Sequence, residues 1–475
     1  MLDRSRIEEL RAGMHGGVVR PGDATYDDAR RVYNAMIDRH PAVIANCADV
    51  SDVIAAVNFG VAEDLPIAVR AGGHNAGGLG VCDGGVVIDL KRMHRIAIDP
   101  DRRVARVDAG CLLRDVDAAT NAFGLAIPTG ILSTTGLAGL LLGGGTGHLT
   151  RKFGLTIDSL IGADVVLSDG ELVYASEDEN EELFWGIRGG GGNFGVVTSF
   201  ELELHPLDMI VGGPTLWPMD RAFDVMQWYR EMILQAPEDL NGFFAFMTVP
   251  PAPVFPTELH GKKMCAIVWC WTGPLEAASA AFAPVHQMQP ALFGVQPMAF
   301  PTLQSMFDAL YPPGLQWYWR ADFIESIHDA AIDVHLDFAE QMPTPLSSMH
   351  LYPTDGAAQR VANDATAYSY RDANWNQVIV GVDPDPANRA RITQWTRDYW
   401  EALHPYSLGG AYVNFLMDDE GPERTRGAYR GNHERLVAVK RQYDPDNRFR
   451  INKNIDPNPQ HAPTTVPHFH PATPR

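Results

Sequence analysis

Cysteine is scarce in this chain of 475 residues, and the few present carry no pattern. Cys47, Cys82, Cys111, Cys265 and Cys270 make no C-x-x-C pair and no metal-ligand spacing. An odd, scattered set argues against a disulfide framework, and free cysteine is most often a small buried residue. No metal site is expected. Long apolar runs are missing as well: no stretch approaches the ~18 residues of a membrane-spanning helix. The opening nine residues, M-L-D-R-S-R-I-E-E, are charged and helix-like, without the apolar core of a signal peptide. A cytoplasmic protein with no membrane partner is expected. Positive charge is the third shortage, 38 Lys and Arg against 59 Asp and Glu for a net charge of −21. Sequence-independent nucleic-acid binding depends on Lys and Arg against phosphate, so no nucleic-acid partner is expected; the charge serves solubility.

Glycine, by contrast, is plentiful and clustered. Val69 to Gly80 reads V-R-A-G-G-H-N-A-G-G-L-G, with apolar runs leading in from Leu65 and out from Gly85. That is strand, tight loop, strand. Glycine lets the backbone turn sharply and approach a ligand, and successive N–H groups in such a turn form an anion-binding concavity. Arg70, Ala71, Gly72, Gly73, His74, Asn75, Gly77 and Gly78 are therefore candidate ligand contacts. A second glycine stretch, Thr129 to Gly147, reads T-G-I-L-S-T-T-G-L-A-G-L-L-L-G-G-G-T-G. No G-x-G-x-x-G after an early strand is followed by a ribose-binding acid, which disfavours a Rossmann NAD enzyme.

These stretches, together with W-G-I-R-G-G-G-G-N-F-G-V-V (185–197), Y-V-N-F (412–415), N-H-E-R-L (432–436) and Y-D-P-D-N (443–447), resemble the FAD-linked oxidases of the berberine bridge enzyme-like group, with the vanillyl-alcohol oxidase, or PCMH, type of FAD-binding fold. The resemblance implies FAD, with the first loop on its diphosphate and His74 bonded to the 8α-methyl of the flavin. It implies that the second segment, Pro128, Thr129, Gly130, Thr134, Thr135, Gly136, Gly139, Gly143, Gly144, Gly145, Gly147 and His148, lies along the flavin and ribityl chain. Asp158 follows the family's G-L-x-x-D pattern, Gly195 and Val197 match a strand on the adenine side, and Asn414 matches the Asn of Y-x-N-[YF] near the ring's polar edge. Many relatives attach FAD a second time, through a cysteine in G-x-C-x-x-x-G. Leu132 occupies that position between Gly130 and Gly136, so a single covalent bond, through His74, is expected.

The fold class expected is α+β: a two-part FAD-binding domain of PCMH type over 1–205, an antiparallel-sheet substrate domain backed by helices over 206–405, a C-terminal segment over 406–458 returning to the first domain, and a mobile tail over 459–475. Among local elements, Asp49 or Ser51 caps a helix running to about Glu63. Val86–Leu90 and Val104–Asp108 read as two strands around a polar turn. Leu137–Leu142, wholly apolar and short, reads as a buried turn beside the cofactor. Val196–Leu204 alternates in period two, as a half-buried strand does. Strands at 242–249 and 264–269 alternate with helices at 222–234 and 275–288.

The catalytic group is less legible. A base must lie within hydrogen-bond reach of the proton it takes. Relatives often carry Tyr where this chain has Thr146, and Phe415 cannot hold a proton. Tyr412 is a candidate, sharing a strand face with Asn414 by parity. On the second domain Tyr318, Arg320, His350, Tyr352, Tyr370 and Gln377 sit on strand-like segments; Tyr412, Thr146, Tyr318 and Gln377 are the catalytic candidates. The expected activity is hydride transfer from a C–OH, C–NH or activated C–H of a small substrate to FAD and then to O2. Trp317-Tyr318-Trp319 and Trp375 favour an aromatic or polycyclic substrate. The alternatives are a dehydrogenase with another electron acceptor, a sugar or oligosaccharide oxidase, and a non-catalytic flavin-binding protein.

Overall fold

The computed structural model describes residues 3–252 and 254–459. The tail expected over 459–475 lies outside these residues except for Pro459. The chain first builds a four-stranded sheet from β1 (Val18–Val19), β2 (Val43–Asn46), β3 (Ile67–Arg70) and β4 (Val86–Asp89), in the order β1-β2-β4-β3. β2 and β3 both run parallel to β4. Strands covered on both faces read as continuous apolar runs, and Val43, Ile44, Val86, Val87 and Ile88 are fully buried. The crossover is the helix Val50–Ala62, whose first turn is closed by Asp49 accepting from the Asp52 N–H at 3.2 Å.

A second, antiparallel sheet follows. Its strands are β5 (Ile96–Asp99), β6 (Val104–Asp108), β8 (Leu160–Val166), β9 (Leu172–Ser176) and β10 (Val196–Glu203), in the order β5-β6-β10-β8-β9. The short β7 (Leu125–Ala126) pairs instead with β11 (His205–Pro206). The two strands expected around a polar turn, at 86–90 and 104–108, fall in different sheets. The hairpin partner of β6 is β5, and Asp99 closes their turn by accepting from the Arg102 N–H at 2.9 Å. Leu137–Leu142 is also not a turn but a six-residue helix between Gly136 and Gly143. Leu137, Ala138, Leu141 and Leu142 are all buried, so the segment carries no polar face by which a helix could be recognised.

The third sheet has eight strands: β12 (Met209–Pro218), β13 (Leu240–Thr248), β14 (Lys263–Trp271), β15 (Leu292–Phe293), β16 (Gln296–Ala299), β17 (Gln316–Ile324), β18 (Ser348–Pro353) and β19 (Trp375–Asp383). Every pairing is antiparallel, in the order β15-β12-β14-β13-β18-β19-β17, with β16 also on β12. Phe244, Ile267, Met349 and Ile379 point to one face and pack with Val225 and Tyr229, Ile332, and Tyr399 of the helices Ala222–Gln235, Asp329–Glu340 and Arg389–Leu403. Alternate residues point to the other face, toward the glycine loops. The single helix expected over 275–288 is broken into pieces, Leu275–Ala277, Ala278–Ala281 and Ala283–Gln287; Pro284 has no N–H with which to continue the ladder.

The C-terminal segment packs back on the first 205 residues. Lys440, fully buried, donates to Asp444 Oδ2 (2.6 Å), to the Asn193 carbonyl (2.7 Å) and to the Phe449 carbonyl (3.0 Å). A buried ammonium needs such complete pairing. Among the described residues no helix is long and apolar enough to cross a membrane.

Candidate active site

The two glycine loops touch. A Cβ placed on Gly136 would lie 2.5 Å from the Gly72 nitrogen, so only two glycines allow the crossing. Behind the first loop the Arg70 guanidinium is buried against Asp89 at 2.6 Å and donates to the Ala29 carbonyl at 2.6 Å, which ties the end of β3 to β4. Gly73, at φ +69°, then turns the chain through the left-handed region. His74 follows, its ring stacked on Tyr33 with centroids 3.7 Å apart and Nε2 3.3 Å from Thr134 Oγ1. Enclosure without a nearby charge lowers its pKa to about 4. The imidazole is therefore neutral at pH 7, with a nitrogen lone pair available.

His74 opens onto a cavity of about 370 Å³ between the glycine loops and the large sheet. Arg70, Ala71, Gly72, Gly73, His74, Asn75, Gly130, Thr135, Gly136, Gly139, Thr146, Gly195, Val197, Tyr412 and Asn414 all border it, as does Leu132. The other expected contacts do not. Gly77 and Gly78 pack against the Asp418 backbone and Ile37, where a Cβ would come within 3.1 and 2.7 Å. Thr134 reaches the site only through His74. Pro128 lies behind the wall, and Thr129 is buried there with its hydroxyl accepting from Gln304 at 2.7 Å.

The triple glycine serves packing rather than ligand approach. Cβ atoms on Gly143, Gly144, Gly145 and Gly147 would strike Asn414, Tyr368, Thr156 and the Thr129 carbonyl, at 2.3, 2.8, 2.0 and 1.9 Å respectively. His148 is buried outside the cavity, its pKa lowered to about 3 by that burial. Asp158 is paired with Arg371 through both carboxylate oxygens at 2.7 Å and caps the turn at Leu155. Its place is structural.

The sheet supplies the opposite wall through one face only. Phe243 on β13, Trp317 and Trp319 on β17, His350 and Tyr352 on β18, and Val378 and Val380 on β19 border the cavity. Parity therefore removes two of the catalytic candidates. Tyr318 lies between the two tryptophans and points away, donating to Asp419 at 2.8 Å and accepting from Arg397 Nε at 2.7 Å. Gln377 precedes Val378 and is likewise turned from the cavity. Of the wider set, Arg320 and Tyr370 also lie off it, while His350 and Tyr352 line it.

Tyr412 is not on a strand, as its parity with Asn414 supposed, but precedes a 3-10 turn, Val413–Phe415. Its hydroxyl accepts from the Gly145 N–H at 2.8 Å and from Asn414 Nδ2 at 2.7 Å, and burial pushes its pKa up to about 12. It is protonated at neutral pH, and its oxygen already accepts two hydrogen bonds. Thr146 borders the cavity, its hydroxyl 3.5 Å from that of Thr150.

Sequence reading missed Tyr33, Phe307, Tyr311, Gly191, Gly192, Asn193, Asn452 and Lys453, which complete the wall. The i, i+2 pairs Trp317/Trp319 and His350/Tyr352 were the readable signal for the sheet side. No such signal marks Lys453. Burial lowers its pKa to about 8, opposed by Glu420, Asp418 and Asp419. Among the described residues no Asp or Glu borders the cavity; its charged members are Arg70 and Lys453.

The residues fit a flavin nucleotide. Cβ atoms on Gly139 and Gly192, both in the wall, would meet no protein atom within 4 Å, so bare main chain faces open space there. A cation, Lys453, and the N–H groups of the first loop offer positive potential to a diphosphate. Residues 41–176 match the FAD binding domain family, and residues 411–456 match the family described as berberine and berberine like. An FAD-linked oxidoreductase of Dictyostelium discoideum is 30% identical over 455 residues, covering 95% of this chain and 97% of its own. The (R)-6-hydroxynicotine oxidase of Paenarthrobacter nicotinovorans is 28% identical over 466 residues, covering 94% of this chain and 97% of its own. The structure of Physcomitrella patens BBE-like 1 superposes with a TM-score of 0.85 at 21% identity, covering 96% of this chain and all of that one. With its glycine loops, its α+β architecture and these relatives, the chain belongs to the berberine bridge enzyme-like FAD-linked oxidoreductases.

Proposed function

We propose that the protein oxidises a small aromatic or polycyclic molecule at a C–OH, C–NH or activated C–H, sending a hydride to FAD held by one covalent bond through His74 and passing the electrons on to O2. The flavin supplies the two-electron acceptor. The chain's own residues hold it and orient the substrate. The observation that carries this reading is a neutral His74 beside crossed glycine loops, facing a wall of Phe243, Trp317, Trp319 and Tyr352. Leu132, which has no nucleophilic atom, borders the cavity and aligns with the attachment cysteine of relatives, which supports a single bond. Large aromatic side chains favour planar, apolar substrates through stacking and apolar burial.

The division at residues 205, 405 and 458 is proposed with the function. It is supported by the segregation of the sheets, since β12 to β19 form one sheet with no strand from the first 205 residues. A reducing, cytoplasmic setting is proposed too; all five cysteines are free and buried. Anaerobic mixing with a panel of aromatic alcohols, amines and phenols tests the activity. Bleaching of the visible flavin bands followed by rapid recovery in air is expected. Bleaching with slow recovery in air would mean a different electron acceptor.

A further inference from the structure

His350 and Tyr352 lie two residues apart on β18, on the face that borders the cavity. Their side chains meet: His350 Nδ1 is 2.6 Å from the Tyr352 hydroxyl. Phe243 covers both rings, at 5.6 Å from His350 and 5.2 Å from Tyr352 between centroids, and Phe415 closes over Tyr352 at 6.4 Å. Burial holds the imidazole neutral, with its pKa lowered to about 4, and holds the phenol protonated. With the imidazole proton on Nε2, the phenol donates to Nδ1 and its oxygen keeps a lone pair for a further donor. Tyr311 is the one ionisable neighbour that perturbs Tyr352, and it is itself partly buried and protonated.

Among the described residues no other side chain on the sheet face of the cavity can take a proton at neutral pH; His74 and Lys453, which also border it, lie on the first glycine loop and the C-terminal segment. No carboxylate borders the cavity, Tyr412 is committed to Gly145 and Asn414, and Tyr33 donates to the Tyr311 carbonyl. An ammonium would meet aromatic faces but no anion, and it must lose a proton before hydride can leave its carbon. A carbinol arrives uncharged, and its O–H is a donor suited to the Tyr352 oxygen.

We propose that the Tyr352–His350 pair is the proton acceptor for an uncharged aromatic carbinol; this rests on the flavin-oxidoreductase reading above. The C–H bond breaks with both electrons, and the hydride leaves to the flavin. The carbinol O–H bond breaks, its proton passes to the Tyr352 oxygen, and the proton of Tyr352 passes to His350 Nδ1. The product is the aldehyde or ketone, and one imidazolium remains to be discharged. As hydride leaves, positive charge develops on the carbinol carbon and its O–H becomes strongly acidic. A weakly basic imidazole therefore suffices.

The holoenzyme and its Y352F and H350Q variants test this. The glutamine side chain introduced by H350Q can still accept a hydrogen bond but cannot be protonated. Flavin loading is read first, from the visible spectrum and from reduction by dithionite, and is expected to be unchanged. Benzyl alcohol and naphthylmethanol, each beside its matched primary amine, are then the anaerobic reductants. The alcohols are expected to bleach the wild type and the amines at neutral pH are not. Both variants are expected to slow bleaching by about 100-fold or more. Binding of benzaldehyde, read by calorimetry, is expected to weaken about three- to tenfold in Y352F through the lost hydrogen bond. Variants that bleach within threefold of wild type, or an amine that matches its alcohol, would overturn the pair's role while leaving the oxidoreductase reading intact. A loaded wild type reduced by dithionite but by neither alcohol would overturn the carbinol assignment. Absence of bound flavin would instead remove the reading on which the proposal stands.

Discussion

Asp117 illustrates how a single residue behind the cavity is tuned by what surrounds it. It is 1% exposed, its Oδ2 accepts from Gln304 Nε2 at 3.1 Å, and both its Oδ1 and Gln304 Oε1 lack partners. Burial raises its pKa to about 7, opposed by the hydrogen bonds from Gln304 and Thr129. In the unfolded chain the group ionises near its ordinary value of 3.8. The folded state therefore holds the proton longer. The stability contribution is complete below that unfolded pKa and is lost as pH rises toward 7. Asp117→Asn can donate to Gln304 Oε1 and satisfy both orphaned atoms. Urea unfolding should then show wild type losing on the order of 3 kcal/mol relative to D117N between pH 5 and pH 8. Parallel pH profiles for the two proteins would show that the carboxyl is ionised in the fold.

Other residues divide by the kind of signal that marks them. His74 and Asn414 stand out because glycine and the Y-x-N pattern frame them. His350 and Tyr352 have no such frame; only the direction of alternation on β18 places them in the wall, and that direction is set by the sheet as a whole. The same single choice turned Tyr318 and Gln377 away from the cavity.

At the scale of elements, the site depends on two loops that cross where neither has a side chain. Gly136→Ala would place a methyl 2.5 Å from the Gly72 nitrogen, a clash with backbone that cannot rotate aside. G136A should lose about 1–3 kcal/mol of stability and fail to retain flavin. Gly139→Ala is the contrasting case. It lies in the helix Leu137–Leu142, and its added Cβ meets no protein atom within 4 Å. Alanine favours a helix over glycine by about 1 kcal/mol, so G139A should keep its stability while binding flavin less fully, because the methyl enters the cavity. Thermal melting with the visible flavin absorbance of the purified proteins separates the two; equal stability in both variants would contradict the crossing. Strands such as β4, β10 and β13 were readable from apolar runs or period-two alternation. The helix Leu137–Leu142 was not, because six residues with no polar side chain show no amphipathic period, and β5 was not, because its residues are only partly covered.

On the scale of the whole molecule, the cavity is closed by parts of the chain far apart in sequence. The loops after β3 and β7, one face of β13, β14 and β17 to β19, and residues 412–415 and 449–453 each contribute. Lys440 and Asp444 fix the last of these against Asn193. The part that matches the FAD binding domain was legible because its two loops must turn and cross without side chains, and glycine records that need in the sequence. The substrate half was less so, since its shape arises from long-range pairing that no local pattern carries. Acid precipitation followed by peptide mass analysis shows whether one flavin is tethered at one imidazole. The yellow colour is expected to stay with the pellet, and flavin mass is expected on the peptide bearing His74 alone, with the peptide bearing Leu132 unmodified. Colour released wholly into the supernatant, or flavin mass on any other peptide, would contradict this single tether.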